Sequence, residues 1–380
     1  MLPDNPDVVW EVPLAHAGLG GIAVSDKYVV FGDRDHDDFQ DVFRCLDAAT
    51  GKPIWEIERL AAAALDYGNS PRATPLIIQS SVICQGATGN LLCIDLRTGN
   101  VLWEKNFRDE FPLNAELPWG YCGSPLLADG KLIVAPGAPD ASLIALDPTT
   151  GELQWKVAGL PPSHGSLIVA ELGGIAQIVG HDHKTLGGWA LKNGKRLWTM
   201  KPHSDGDFNV PTPVLYNNSH GKQRLLVATE NNGVRSIAFD SADGTPSETE
   251  CTSMKLRTDM STPIVVGDHI YCVKDFLYCL DSSDLSEKWR IRDRALGDYA
   301  ATFATKTHLL VIGKGQLLLL RADGTKEIIS RCKVFDEPQV LYSHPAICQN
   351  RMYVRGEHQL KCIRLSPDTP LPDPNHDTRN

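Results

Sequence analysis

The stretch Ala145-Leu146-Asp147-Pro148-Thr149-Thr150-Gly151-Glu152-Leu153-Gln154-Trp155 contains a complete structural unit: an apolar strand end, a turn and the start of a second strand. An Asp carboxylate can accept from N–H groups of its own turn, and glycine supplies a left-handed position at no steric cost. The same small-x-Asp-x-x-Thr-Gly-x-x-x-Trp spacing runs from Cys45 to Trp55 and from Cys93 to Trp103. Partial copies carry Trp198 and Trp289, and Trp10 stands alone near the N-terminus. Two further copies, at 240–244 and 320–324, keep the turn without the tryptophan, and Ile328 occupies the expected tryptophan position of the second.

Spacing of about 40–50 residues between copies is the period of a four-stranded propeller blade. Each unit opens with a short apolar strand, often after a Ser-Pro or Thr-Pro pair such as Thr74-Pro75, Ser124-Pro125, Thr212-Pro213 or Thr262-Pro263. Proline is tolerated there because the first residue of a strand need not donate to the ladder. Eight first, eight second and eight third strands can be read, but only seven turns lead on to a fourth. The unmatched fourth strand lies at residues 8–12 and carries Trp10. The expectation is an all-β, eight-bladed β-propeller of four-stranded antiparallel blades over 8–365, in which the N-terminal strand completes the C-terminal blade. Such closure removes open sheet edges. Residues 1–7 read as a lead, and 366–380, rich in Pro, Asp and Asn, as a disordered tail.

Composition agrees with a folded chain, 42% hydrophobic and 22% charged, with 32 Gly and 25 Pro for many turns. A net charge of −10 argues against nucleic acid or an anionic membrane surface as partner. No apolar run approaches the roughly 20 residues that span a bilayer. The start, Met1 to Asp7, has no basic and apolar leader, so the sequence as written reads as cytoplasmic; periplasmic or secreted is the reading if a leader was removed. Of ten cysteines, Cys45, Cys93, Cys279 and Cys362 fall on third strands, where buried free thiols suit.

The Asp–Gly–Trp pattern resembles the tryptophan-docking motif of the PQQ-like (pyrroloquinoline-quinone) repeat family. That family includes the quinoprotein alcohol dehydrogenases and the outer-membrane β-barrel assembly lipoprotein. The resemblance implies that Trp10, Trp55, Trp103, Trp155, Trp198 and Trp289 each lie on the next blade, burying on the order of 200 Å². It also implies that the loops between blades, and those joining second to third strands, gather around an axial channel. Arg72, Trp119, Tyr121, His164, Asn209, Asp259, Tyr299 and His344 are the candidates from the first kind of loop. The segments around Asp35, Asn90, His181, Glu230, Asp275, Lys314 and Glu357 come from the second kind.

PQQ and Ca²⁺ are implied as cofactors by the resemblance alone. The chain has no adjacent cysteine pair of the kind those dehydrogenases carry beside the cofactor, and no nucleophile-elbow, Walker or dinucleotide motif. No catalytic residue is assigned. Two clusters have the chemistry of metal ligands. Asp33, Asp35 and Asp37 alternate in an acidic stretch that suits Ca²⁺, although a solvated loop is favoured. His181 and His183 point to one side if the segment is extended, and would need a third ligand. The insertion 104–121 carries Phe107, Phe111, Trp119 and Tyr121, and reads equally as a patch over the channel or as packing on its own blade. Residues 58–65 suggest one or two helical turns. The expected function is a monomeric binding or scaffold propeller presenting loops to a protein, peptide or saccharide. A quinoprotein-like oxidoreductase with a diverged cofactor site is the competing expectation.

Overall fold

The computed structural model describes residues 2–247, 249–253 and 256–365. These form eight separate four-stranded antiparallel sheets. Blades 1 to 7 use strands β2–β29 in chain order and span 23–60, 76–106, 126–157, 168–200, 214–253, 264–292 and 301–333. Blade 8 is built from β30 (Ala346–Cys348), β31 (Arg351–Arg355) and β32 (Gln359–Arg364), and its outer strand is β1 (Asp7–Pro13). Trp10 pairs with Cys362, so the N-terminal strand closes the ring as the repeat count requires. The expected tail at 366–380 lies outside the described residues.

The motif's geometry explains its residues. Asp47 Oδ1 accepts from the N–H groups of Ala49 and Thr50 and from Thr50 Oγ1, and Asp95 does the same with Arg97 and Thr98. Gly51 then turns with φ of +70°, and a Cβ on it would lie 2.7 Å from the Trp10 ring. Gly99 stands 2.7 Å from Trp55 in the same sense, and Gly151 2.8 Å from Trp103. Glycine is therefore required twice, by the backbone and by the docked ring. The indole N–H of Trp10 donates to Ala48 O at 3.1 Å, that of Trp55 to Leu96 O at 2.8 Å and that of Trp103 to Pro148 O at 3.0 Å. In all three the acceptor directly follows the turn's aspartate on the next blade.

Later blades depart from this scheme. Trp155 packs on Gly194, but its indole nitrogen has no partner among the described residues. Trp198 donates instead to Gln177 Oε1 of its own blade at 2.7 Å. In blade 7 the tryptophan position is Ser330, which faces Leu319 as Trp289 faces Cys279. The expectation of Ile328, counted from Gly324, was off by two: the turn is one residue longer, Leu320 pairing with Ile328 whereas Leu146 pairs with Leu153, and its glycine comes one residue earlier, four after Leu320 against five after Leu146.

The helical turns expected at 58–65 do not form. Strand β5 (Pro53–Leu60) continues in register, Glu58 opposite Val42 and Leu60 opposite Gln40, and residues 61–65 carry no helix. Among the described residues the α-helix is α1 (Phe107–Glu110), capped by the Asn106 side chain. No helix of the described residues is long and apolar enough to cross a membrane.

Candidate functional site

Each blade is joined to the next by a connection that returns to the axis. These connections meet around a cavity of about 370 Å³. Leu19 enters it from the 8-to-1 connection, Tyr67 and Arg72 from 1-to-2, Trp119 and Cys122 from 2-to-3, and His164 from 3-to-4. Phe208 and Val210 enter from 4-to-5, Asp259 and Met260 from 5-to-6, Tyr299 from 6-to-7 and Tyr342 from 7-to-8. All eight connections contribute, which places the cavity on the ring axis. Glu230 adds a carboxylate from the turn between the second and third strands of blade 5.

The wall is largely aromatic, and its rings touch in sequence. Tyr299 lies 6.2 Å from Tyr342, Tyr342 5.9 Å from Tyr67, and Tyr67 6.0 Å from Trp119. Trp119 in turn lies 4.4 Å from His164 and 4.8 Å from Phe208. Burial, with the positive charges of His183 and Arg72 nearby, pushes His164 down to about 4, and its buried Nδ1 has no partner among the described residues.

Charge is placed at opposite sides. The Arg72 guanidinium is fixed by backbone carbonyls, donating to Ser70 O at 3.0 Å, Asp66 O at 2.7 Å and Gly68 O at 2.8 Å. Burial lowers its pKa, offset in part by Cys122 and by the Asp41 and Asp66 carboxylates nearby, and no carboxylate is in salt-bridge contact with it among the described residues. Across the ring, burial and the nearby carboxylates Asp259 and Asp207 raise Glu230, whose side chain has no hydrogen-bond or ion-pair partner among the described residues. Asp259 pairs with Lys274, which also reaches Asp298 at 3.1 Å.

Of the eight channel-face candidates, Arg72, Trp119, His164, Asp259 and Tyr299 line the cavity. Tyr121 does not: it is 3% exposed and packs 5.2 Å from Phe107. Asn209 is buried, and its carbonyl accepts from Ser163 Oγ and Gly165 N, both at 2.7 Å. His344 meets Phe303 edge to face, with ring centroids 4.9 Å apart, beside a separate pocket. For Tyr121 and Asn209 the reason is alternation along an extended chain. Cys122 faces inward where Tyr121 faces out, and Phe208 and Val210 flank the outward Asn209. The insertion divides likewise, with Phe107, Phe111 and Tyr121 in the core of their own blade region and Trp119 in the cavity.

Neither metal candidate assembles, and among the described residues no three His, Cys, Asp or Glu side chains converge. Asp33 is fully buried against Arg355 at 2.7 Å, Asp35 accepts from Phe39 N and Gln40 N of its own turn, and Asp37 is exposed. His181 ends its strand buried, whereas His183 follows in an exposed turn. The same-side geometry therefore does not carry through. Burial pushes His181 down to about 3, and Asp182 between the two pairs with Arg196 at 2.9 Å.

The family described as outer membrane protein assembly factor BamB, a PQQ-like domain, matches residues 3–114 and 79–291, well over half of the chain. The chain belongs to this family. Among solved structures, BamB from Moraxella catarrhalis shares the fold with a TM-score of 0.64 at 15% identity, over 96% of this chain and 99% of that one. The quinohemoprotein alcohol dehydrogenase of Comamonas testosteroni does so with a TM-score of 0.67 at 12% identity, over 97% of this chain and 78% of that one. In sequence, the dehydrogenase subunit of the quinone alcohol dehydrogenase of Gluconacetobacter polyoxogenes is 25% identical over 128 residues. That match covers 32% of this chain and 17% of the relative.

Membership of the PQQ-like family raises the question of its namesake cofactor. PQQ is a flat tricarboxylate. The cavity lining offers one arginine, whose N–H groups already serve three carbonyls, and sets two carboxylates opposite it. Among the described residues no three His, Cys, Asp or Glu side chains converge to give Ca²⁺ a carboxylate set. The residues present do not fit PQQ with Ca²⁺.

Proposed function

We propose that this PQQ-like propeller is a non-catalytic binding protein whose axial mouth receives a segment of a protein or peptide partner. The observation that carries this reading is the cavity wall, in which all eight connections supply a side chain and aromatic rings predominate. Aromatic side chains offer large apolar faces at small entropic cost, the chemistry of recognition surfaces. The titratable groups support the same reading. Burial holds His164 neutral and raises Tyr299 above its usual range, so both present uncharged rings to a partner. The family described as an assembly factor, and a solved member aligned over 96% of the chain, are consistent with a role in holding other proteins.

A quinoprotein-like dehydrogenase is the second reading, favoured by the 25% identity to the Gluconacetobacter subunit. Incubation with PQQ and Ca²⁺ followed by desalting separates the two. The expected result is loss of the quinone absorbance and no dye reduction with alcohols or sugars. Retained cofactor with turnover would sink the binding reading.

A further inference from the structure

In an eight-fold ring, the 1-to-2 and 5-to-6 connections lie four steps apart, directly across the axis. Arg72 comes from the first and Asp259 from the second, with Glu230 beside Asp259. The two ends are thus a fixed guanidinium with no carboxylate in contact and a carboxylate with no partner on its side chain, both among the described residues. Arg72 is offset only by the Asp41 and Asp66 carboxylates nearby and Glu230 only by Lys274, none of them in direct contact with it. Charge compensated only at a distance in a partly desolvated cavity is costly, and a ligand with complementary charges relieves it at both ends. Between the ends the walls are rings, and two remain open to a partner, Tyr67 at 62% exposure and Phe208 at 45%. A uniformly anionic ligand meets Glu230, a uniformly cationic one meets Arg72, and a neutral one satisfies neither.

We infer that the cavity takes an amphoteric peptide segment, with a basic side chain against Glu230, an acidic side chain against Arg72, and an apolar or aromatic residue between them on the rings. This rests on the reading of the chain as a binding propeller. Calorimetric titration of the full chain with the end-blocked peptides Lys-Phe-Asp and Lys-Phe-Phe-Asp tests it, alongside analogues with Gln for Lys or Asn for Asp. At least one doubly charged peptide is expected to bind about tenfold more tightly than either singly charged analogue, with the preference shrinking as salt rises. Arg72→Met abolishes the preference for Asp over Asn and leaves that for Lys over Gln, and Glu230→Gln does the reverse. Glu230 sits on a half-exposed turn, so its variant keeps the test alive if Arg72→Met does not fold. Equal affinity for charged and neutral peptides, no binding by any of them, or tighter binding of a neutral oligosaccharide such as maltotriose overturns the inference. Those outcomes leave the binding reading standing, whereas PQQ retained with turnover removes the reading itself.

Discussion

On the face where third strands turn into fourth strands, carboxylates are held low. The hydroxyl and N–H of Thr50 do this to Asp47, those of Thr98 to Asp95 and those of Thr149 to Asp147. On the opposite face, where blades connect, burial dominates instead. It lowers His164, His181, Arg72, Arg235 and Arg355, and raises Glu230. The turn-face aspartates are satisfied locally and these six groups are desolvated, although aspartates with partners at hand, Asp35 and Asp293, are held low on the connection face too. The turn face is therefore built to hold the ring together. The connection face keeps unsatisfied polarity near the axis, where a ligand can reach it.

The largest effect is expected where the connection face joins the first and last blades. Arg355, buried on blade 8, pairs with Asp33, buried on blade 1, and also donates to Gly32 O. Arg355→Met leaves Asp33 desolvated, with Arg44 at 3.6 Å as its remaining cation. The expected loss is about 3–5 kcal/mol in urea unfolding, as for other broken buried pairs. On the turn face, Gly51→Ala forces a Cβ against the Trp10 ring at a φ of +70°. Left-handed strain plus overpacking predicts about 2–4 kcal/mol. Gly130 has the same φ with nothing within 4 Å, so Gly130→Ala is expected to cost only the strain, about 1 kcal/mol. Equal losses at the two glycines would mean that the docked ring yields freely, and would break the account of the turn face.

The asymmetry between faces also decides what could be read beforehand. Asp, Gly and Trp recur because one turn geometry demands them, so the blade count and the closure by Trp10 followed from spacing. The connections share no such constraint. Position along them identified Arg72, Trp119, His164, Asp259 and Tyr299, but extended segments alternate inward and outward. A shift of one residue exchanged Tyr121 for Cys122 and Asn209 for its neighbours. Tyr67 carried no motif at all: it occupies a left-handed φ of 65°, and its ring is placed by Trp119 and Tyr342 from other blades. Asp33 looked like surface acid because its partner Arg355 is more than three hundred residues away in sequence.

His164 gives the contrast a pH dependence. Its folded value of about 4 lies below the usual 6.5, so between those values the unfolded chain binds more protons. The contribution of His164 is present above pH 6.5 and is lost as pH falls toward 4, on the order of 2–3 kcal/mol across the window. His164→Phe, which keeps a ring beside Trp119, is expected to reduce the slope of the stability–pH curve in that window, leaving the share of His181 and His344, which burial also lowers. An unchanged curve would assign the acid sensitivity elsewhere.

A smaller effect tests whether the turn face is one device throughout. Blade 5 has no tryptophan at its docking position, where Cys251 faces Ser236. There the hydroxyl of the buried Tyr216 donates to Ser282 O at 3.1 Å. Ser282 directly follows Asp281, so this is the same carbonyl that indoles reach on blades 1, 2 and 3. Tyr216 stands on a first strand rather than a fourth, so the acceptor has been kept while the donor comes from the other edge of the blade. Tyr216→Phe removes little volume but both hydrogen bonds of that hydroxyl, to Ser282 O and with the buried Ser236 Oγ at 2.7 Å, and is expected to cost about 1–2 kcal/mol. A loss as large as that of Gly51→Ala would place more of the ring's cohesion at blade 5 than at the repeats that kept the tryptophan.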